Sequence, residues 1–327
     1  MINDKEFLQF KDGPFRDYFE KFIEYKRGKG EKVSRSTIIN LRSLNNKLCQ
    51  YSTVKITAQM VEEILSPESF ASSDTRGKSI SLLRQFCQFM GILGIPCAAV
   101  GRNYAALPRP QFRPYIFSTE EISKLLHVAD HLTESRRCNN HLRVYPIMLR
   151  ILIGTGMRIG EVLQMTNDDV DILRGVIKVI NGKNGVSRFI PVSDSLMDVL
   201  RIYFRNNDSM SAEEPFFVSP YTGSYYSYSA AKYMFQKICA IADIRCEDSS
   251  LPTLHSLRHT FCTRSLEQMI ASGMSEYSAV PILAAYMGHV NLVDTEKYIH
   301  FTEIAHARFI SDEMFMADIV PEVSYDE

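Results

Sequence analysis

The sequence predicts a two-domain, mostly α-helical protein with a small antiparallel β-sheet in its C-terminal domain. Three observations lead there. The chain has 327 residues, long for one domain and comfortable for two. Its apolar residues recur at helical spacing nearly throughout. The helical texture is broken once by a proline-rich stretch and once by a short pair of β-type runs around a Gly-Asn turn.

The N-terminal part reads as helices alone. Phe15, Tyr18, Phe19, Phe22 and Ile23 share one helical face, as do Ile38, Leu41, Leu44 and Leu48. Met60, Val61, Ile64 and Leu65 mark a short third helix. Leu82, Leu83, Phe86, Phe89, Met90 and Leu93 mark a fourth, which stops near Gly94 and Pro96. This is a small all-helical domain, set at residues 1–105.

Pro108, Pro110 and Pro114, with Arg109 and Arg113 between them, form a stiff extended linker over 106–117. A strong helix start closes it. Ser118 and Glu121 have capping-box spacing, and Phe117 and Ile122 can staple the entry. The second domain is set at 118–310. It opens with helices, and residues 176–180 and 187–192 then read as two strands joined by the turn Asn181-Gly182-Lys183-Asn184-Gly185. Pro191 suits an edge strand. Residues 311–327 form an acidic tail with six carboxylates and no Lys or Arg.

Composition narrows the function classes. Hydrophobic residues make up 45% and charged residues 23%, an ordinary globular balance. No apolar run is long enough to span a bilayer. The first residues carry acids rather than an apolar core, so a cytoplasmic protein with no membrane partner is expected. Seven cysteines, at 49, 87, 97, 138, 239, 246 and 262, lack the close spacing of a zinc knuckle or redox motif. The net charge of −1 is low for a phosphate binder. Charge is unevenly spread, however. Without the tail, 37 bases face 32 acids. From Lys26 to Lys47 there are seven bases and one acid, Glu31. Lys26, Arg27, Lys29, Lys32, Arg35 and Arg42 are therefore the candidate DNA-facing surface, against the plainer reading of a solvated helix face.

Three segments can carry chemistry. In Gly154-Thr155-Gly156-Met157-Arg158-Ile159-Gly160-Glu161 a tight turn feeds a helix, and Arg158 and Glu161 share a face. A surface ion pair would look the same. In Leu254-His255-Ser256-Leu257-Arg258-His259, His255 and Arg258 share a face. His255 and His259 could be read as a zinc pair, but Ser256 stands where a zinc protease needs Glu. An Arg that can clamp two oxygens beside a His that can move a proton suits a phosphate better. The third segment is Met287-Gly288-His289, followed nine residues later by Tyr298. One tyrosine among 16 means little alone.

Together these segments resemble the tyrosine recombinase (phage integrase) family, in its Xer-like or mobile-element branch. The family's Thr-Gly-x-Arg-x-x-Glu is matched at 155–161. Its hairpin lysine, with an Arg five residues on and a Pro three further, is matched by Lys183, Arg188 and Pro191. Its His-x-x-Arg-His is matched at 255–259, and its Gly-His with Tyr nine later at 288–298. The span from Arg258 to His289 is several residues longer than in compact members. It includes Gly273 and Pro281, so a longer connection between helices is expected.

The resemblance implies a two-domain clamp on double-stranded DNA, a helical core-binding (SAM-like) domain joined to a catalytic domain. It implies that Tyr298 attacks a phosphodiester to give a 3′-phosphotyrosine. His255 is the implied base, Lys183 the acid for the leaving 5′-oxygen, and Arg158, Arg258 and His289 the oxyanion donors. Glu161 is the implied support of Arg158. No metal or other cofactor is expected. A homotetramer on two DNA sites, exchanging strands through a four-way junction, is implied, with an accessory protein as a further partner. The apolar segment after Tyr298 is the expected contact between subunits. Integration or excision of a mobile element is the favoured task. A type IB topoisomerase would use similar chemistry without paired sites, and a non-catalytic DNA-binding regulator descended from a recombinase would keep the fold without the reaction.

Overall fold

The computed structural model describes residues 9–31, 33–70, 72–101, 104, 114–132, 141–180, 187–205, 211–219 and 222–288. The chain divides into two compact units, Met1–Phe112 and Arg113–Glu327.

Among its described residues the first unit has four α-helices: α1 (Arg16–Gly28), α2 (Arg35–Leu48), α3 (Ala58–Leu65) and α4 (Ser73–Ile92). Three of them begin at hydroxyl caps. Ser34, Thr57 and Ser72 accept from the backbone N–H of Thr37, Met60 and Thr75, which satisfies donors the first helical turn leaves open. Their apolar faces meet in one core. Phe19 and Phe86 stack with centroids 4.0 Å apart, and Phe15, Phe22, Leu41, Leu44 and Leu83 are at most 1% exposed. Each such side chain stabilises the fold by about 1.5–3 kcal/mol relative to its exposed state. Helix α4 starts well before its apolar stripe, because Ser72 caps it and its polar first turns follow.

The second unit opens with α5 (Thr119–Asp130). Its capping box is complete: Glu121 N donates to Ser118 Oγ at 3.1 Å, and Ser118 N donates to Glu121 Oε2 at 2.8 Å. The stapling pair Phe117 and Ile122 is buried. Helices α6 (His141–Thr155) and α7 (Ile159–Leu163) follow, then an antiparallel sheet in the order β1 (Val170–Asp171), β2 (Val176–Val179), β3 (Arg188–Pro191). Strand β1 is two residues long, too short to announce itself as a periodic run. Pro191 lies on the edge strand opposite Val176, where no ladder partner is lost on its outer side. Ile177, Val179 and Ile190 point into the core, while Phe189, opposite Lys178, faces outward. Helices α8 (Asp194–Arg205), α9 (Tyr228–Ile241), α10 (Leu254–Ala271) and α11 (Glu276–Met287) complete the described part.

The expected long connection between Arg258 and His289 is corrected here. Most of that span is helix: α10 runs on to Ala271, a short turn bears Gly273 at φ +95°, and Pro281 lies inside α11. Pro281 is the sixth residue of α11 and lies on its exposed side; the carbonyl it leaves without a helical donor is that of Tyr277, which is 94% exposed, so that group is open to water.

Candidate active site

The site is assembled from three turns. The first joins α6 to α7. Gly156 has φ +59°, and a Cβ there would lie 2.4 Å from Phe261 Cδ1. Only glycine satisfies both the left-handed backbone and the close approach. Arg158 then has extended backbone and caps α7. Its backbone N–H donates to Glu161 Oε2 at 3.0 Å and its Nη1 to Oε1 at 2.9 Å. The shared helical face seen in the sequence is thus an ion pair, with side-chain exposures of 19% and 7%.

The second turn ends α11. Gly288 has φ +63° and closes the helix in the left-handed form, leaving its carbonyl 3.5 Å from Arg158 Nη2. Arg258, on α10, ties the two turns together. It is 2% exposed, and donates from Nη1 to Gly156 O at 2.8 Å and from Nη2 to Met287 O at 2.9 Å. A buried guanidinium is stable only if its donors are used; these two bonds use part of its five N–H groups. Behind it, Phe261 and Tyr286 stack at 5.6 Å.

The third element is the start of β3. Arg188 sends both terminal nitrogens to Glu161, at 3.1 and 2.9 Å, and its Nε to Tyr286 O at 2.9 Å. Sequence reasoning noted Arg188 only as part of a motif and gave it no task. Its signal was its spacing after Lys183, five residues on. Burial pushes the Glu161 carboxyl up, but hydrogen bonds from Arg188 and from the Arg158 backbone outweigh it and hold it below the ordinary carboxylate range. A depressed folded value gives stability that is present above the unfolded pKa of about 4.3 and lost as pH falls through the folded value. Glu161→Gln should therefore flatten the acid limb of a Tm-against-pH curve; an unchanged limb would mean the pair adds nothing.

His255 lies one turn before Arg258 on α10, exposed, with its ring 4.6 Å from that of His259 and at right angles to it. Arg158, Glu161 and Arg188 are thus joined by direct bonds, and Arg258 by bonds to the same two turns, with His255 on the same helix as Arg258. Lys183, His289 and Tyr298 lie outside the described residues, as do the segment after Tyr298 and the acidic tail. In the sequence Lys183 is five residues before Arg188, and His289 follows Gly288 directly.

In the first unit the candidate basic surface needs one correction. Lys26 is 8% exposed, and its ammonium is held by Gln85 Oε1 at 2.7 Å and by Glu31. It faces inward because its stem packs on the core, with Nζ 5.5 Å from the Phe22 ring centroid. Lys26 leaves the outward-facing set. Arg27, Lys29 and Arg35 are exposed, Arg42 is half-buried, and Lys32 lies outside the described residues.

The described part of the second unit has helices around a three-stranded sheet and three guanidiniums at adjoining turns, an arrangement chemically suited to an anionic group. Comparison with known proteins gives the class its family. The phage integrase family profile matches residues 116–303. Tyrosine recombinase XerD of Staphylococcus haemolyticus is 26% identical over 297 residues, 86% of this chain and 92% of the relative. Tyrosine recombinase XerC of Pelobacter propionicus is 26% identical over 254 residues, 75% of this chain and 76% of the relative. Among solved structures, the Tn1549 transposon integrase with transposon right-end DNA superposes with a TM-score of 0.64 at 18% identity, over 90% of this chain and 99% of that one. XerH bound to its difH substrate before cleavage gives 0.60 at 19% identity, over 89% and 83%. The chain belongs to the phage integrase family, as a tyrosine site-specific recombinase.

Proposed function

We propose that this chain cuts and rejoins double-stranded DNA with Tyr298 as nucleophile, forming a 3′-phosphotyrosine and freeing a 5′-hydroxyl. The phosphodiester energy is kept in the tyrosyl ester, so no nucleotide cofactor is consumed. A phenol with a pKa of about 10 is a poor nucleophile at neutral pH and needs its proton removed. His255 takes that proton and Lys183, a flexible point donor, returns one to the leaving 5′-oxygen. Arg158 and Arg258 carry the charge that builds on the non-bridging oxygens, and His289 adds a further donor.

One observation supports this reading above the others. Arg158 and Arg258 come from sequence segments a hundred residues apart, yet both donate to the turn that precedes His289, at Gly288 O and Met287 O. Against a regulator descended from a recombinase stands the sequence, which keeps all six residues of the catalytic set.

Residues 1–105 act as the core-binding domain, 106–117 as the linker and 118–310 as the catalytic domain, closing on the duplex as a clamp. Arg27, Lys29, Lys32, Arg35 and Arg42 contact phosphate, which sets register rather than sequence. The active form is a homotetramer on two DNA sites, with strand exchange through a four-way junction, and the task is integration or excision of a mobile element in the cytoplasm. The apolar segment after Tyr298 docks on the neighbouring subunit. A chain ended at about residue 305 should then bind DNA and fail to recombine it; full recombination by that chain would remove the subunit contact from this account.

Covalent capture tests the chemistry. Wild type and Tyr298→Phe are each mixed with labelled duplexes taken from around the gene's own element ends and nicked near the suspected cut, then run on a denaturing gel. An adduct with wild type alone establishes the nucleophile. Tight binding without an adduct favours the regulator, and an adduct with both proteins assigns the nucleophile elsewhere.

A further inference from the structure

Glu161 is shared. Each carboxylate oxygen accepts two bonds: Oε1 from Arg158 Nη1 and Arg188 Nη1, Oε2 from the Arg158 backbone and Arg188 Nη2. Arg188 occupies the two-pronged geometry that guanidinium and carboxylate favour, and Arg158 is left with one side-chain bond to the same group. Arg188 and Glu161 are nearly equally buried, at 8% and 7% side-chain exposure, while Arg158 at 19% is the more open of the two arginines.

The charge balance follows from that sharing. One carboxylate facing one arginine would cancel it. One carboxylate facing two leaves a net positive charge in a poorly hydrated cluster, where a nearby anion feels it strongly. Arg188 also touches the turn that ends α11. Its Nε holds Tyr286 O, and its Nη1 would be 3.2 Å from a Cβ at Gly288, so the guanidinium lies flat against the backbone that leads to His289. It heads the strand paired with β2, opposite Val179.

We infer that Arg188 is a positioning residue of the recombination reaction, which occupies Glu161 with a two-pronged pair and so leaves Arg158 oriented, and the cluster net positive, toward the scissile phosphate. This rests on the reading of Arg158 as an oxyanion donor. Arg188 touches no reacting atom. Without it, Arg158 has nothing to compete with for Glu161 and should swing to a two-pronged pair of its own, withdrawing its second nitrogen from the Gly288 turn. A positioning error of about 1 Å is enough to cost up to about a hundredfold in rate.

The test uses the full chain in four forms: Arg188→Ala, Arg188→Lys, Glu161→Gln, and the Arg188→Ala/Glu161→Gln double variant. Crystal structures without DNA decide the geometry. In Arg188→Ala, Arg158 should bond Glu161 through two side-chain nitrogens; an Arg158 left in its original place overturns the inference. Rates of adduct formation decide the consequence. Arg188→Ala should lose about tenfold to a hundredfold in maximal rate with DNA affinity within about twofold. Arg188→Lys should fall between, since an ammonium keeps the charge without the fork. Removing the carboxylate as well should restore part of the loss, because Arg158 is then no longer captured; a double variant slowed by the product of the single effects also overturns the inference. If Arg188→Ala does not fold, Arg188→Lys and Glu161→Gln still report the same geometry and rates. If wild type forms no adduct on any duplex, the recombination reading fails on its own terms, and the crystal structures still decide what Arg188 does to Arg158.

Discussion

Arg258→Ala should leave a protein that forms almost no phosphotyrosine adduct and is also markedly less stable. Two effects combine. As a proposed oxyanion donor, its loss should cost about 10²–10³ in rate. As a buried side chain, it also leaves Gly156 O and Met287 O without their partner. An orphaned buried acceptor costs about 1–3 kcal/mol, so the two together amount to about 2–6 kcal/mol before any collapse of the cavity. Stability and chemistry are separated by two measurements on one set of variants: thermal unfolding, and adduct formation below the melting range. Arg158→Ala makes the contrast. Arg158 is more exposed and its carboxylate partner keeps Arg188, so the loss of rate should be similar and the loss of stability much smaller. Wild-type rates in Arg258→Ala would remove it from the reaction.

Gly156→Ala should be the most damaging substitution of a single small residue. The backbone there is left-handed at φ +59°, which costs an L-residue about 1–2 kcal/mol. The new methyl would sit 2.4 Å from Phe261 Cδ1 and 2.8 Å from Cγ, closer than carbon atoms approach. Relief requires moving either the Phe261 ring, stacked on Tyr286, or the turn itself, at about 1–3 kcal/mol. The turn also carries the carbonyl that anchors Arg258, so adduct formation should fall with stability. Gly160→Ala is the control. Nothing lies within 4 Å of a Cβ there and its φ is not positive, so it should be neutral or slightly stabilising. Adding Phe261→Ala to Gly156→Ala should give a combined loss smaller than the sum of the two, because the clash is counted once; strict additivity would mean that backbone strain alone is responsible.

These expectations depend unequally on sequence and structure. Local chemistry was legible from spacing. The capping box at Ser118 and Glu121, the staple of Phe117 and Ile122, the pairing of Arg158 with Glu161 and the edge position of Pro191 all follow from residues a few positions apart, whose geometry the helix or strand repeat dictates. So did the four helices named in the first unit, each from its apolar stripe, although the polar first turns of α4 lie ahead of the stripe that marks it. Strand β1 did not, because two residues hold no period. The helical setting of Pro281 did not either, because the residue that usually ends a helix is tolerated here on an exposed face.

Burial and long-range pairing belong to the tertiary structure. Lys26 and Arg27 are equally basic on paper, and only the packing of α1 on α4 turns Lys26 inward to Gln85 while Arg27 stays in water. Gly156 looks like any turn glycine until Phe261, over a hundred residues later, closes on it. The sequence by itself determined which side chains carry charge, which helices of the first unit form and which motif residues stand in which order. It could not tell that one carboxylate, Glu161, would face two arginines from different turns, because that sharing is set by how α7, β3 and α11 meet, and contact between segments so far apart in the chain leaves no mark on local periodicity.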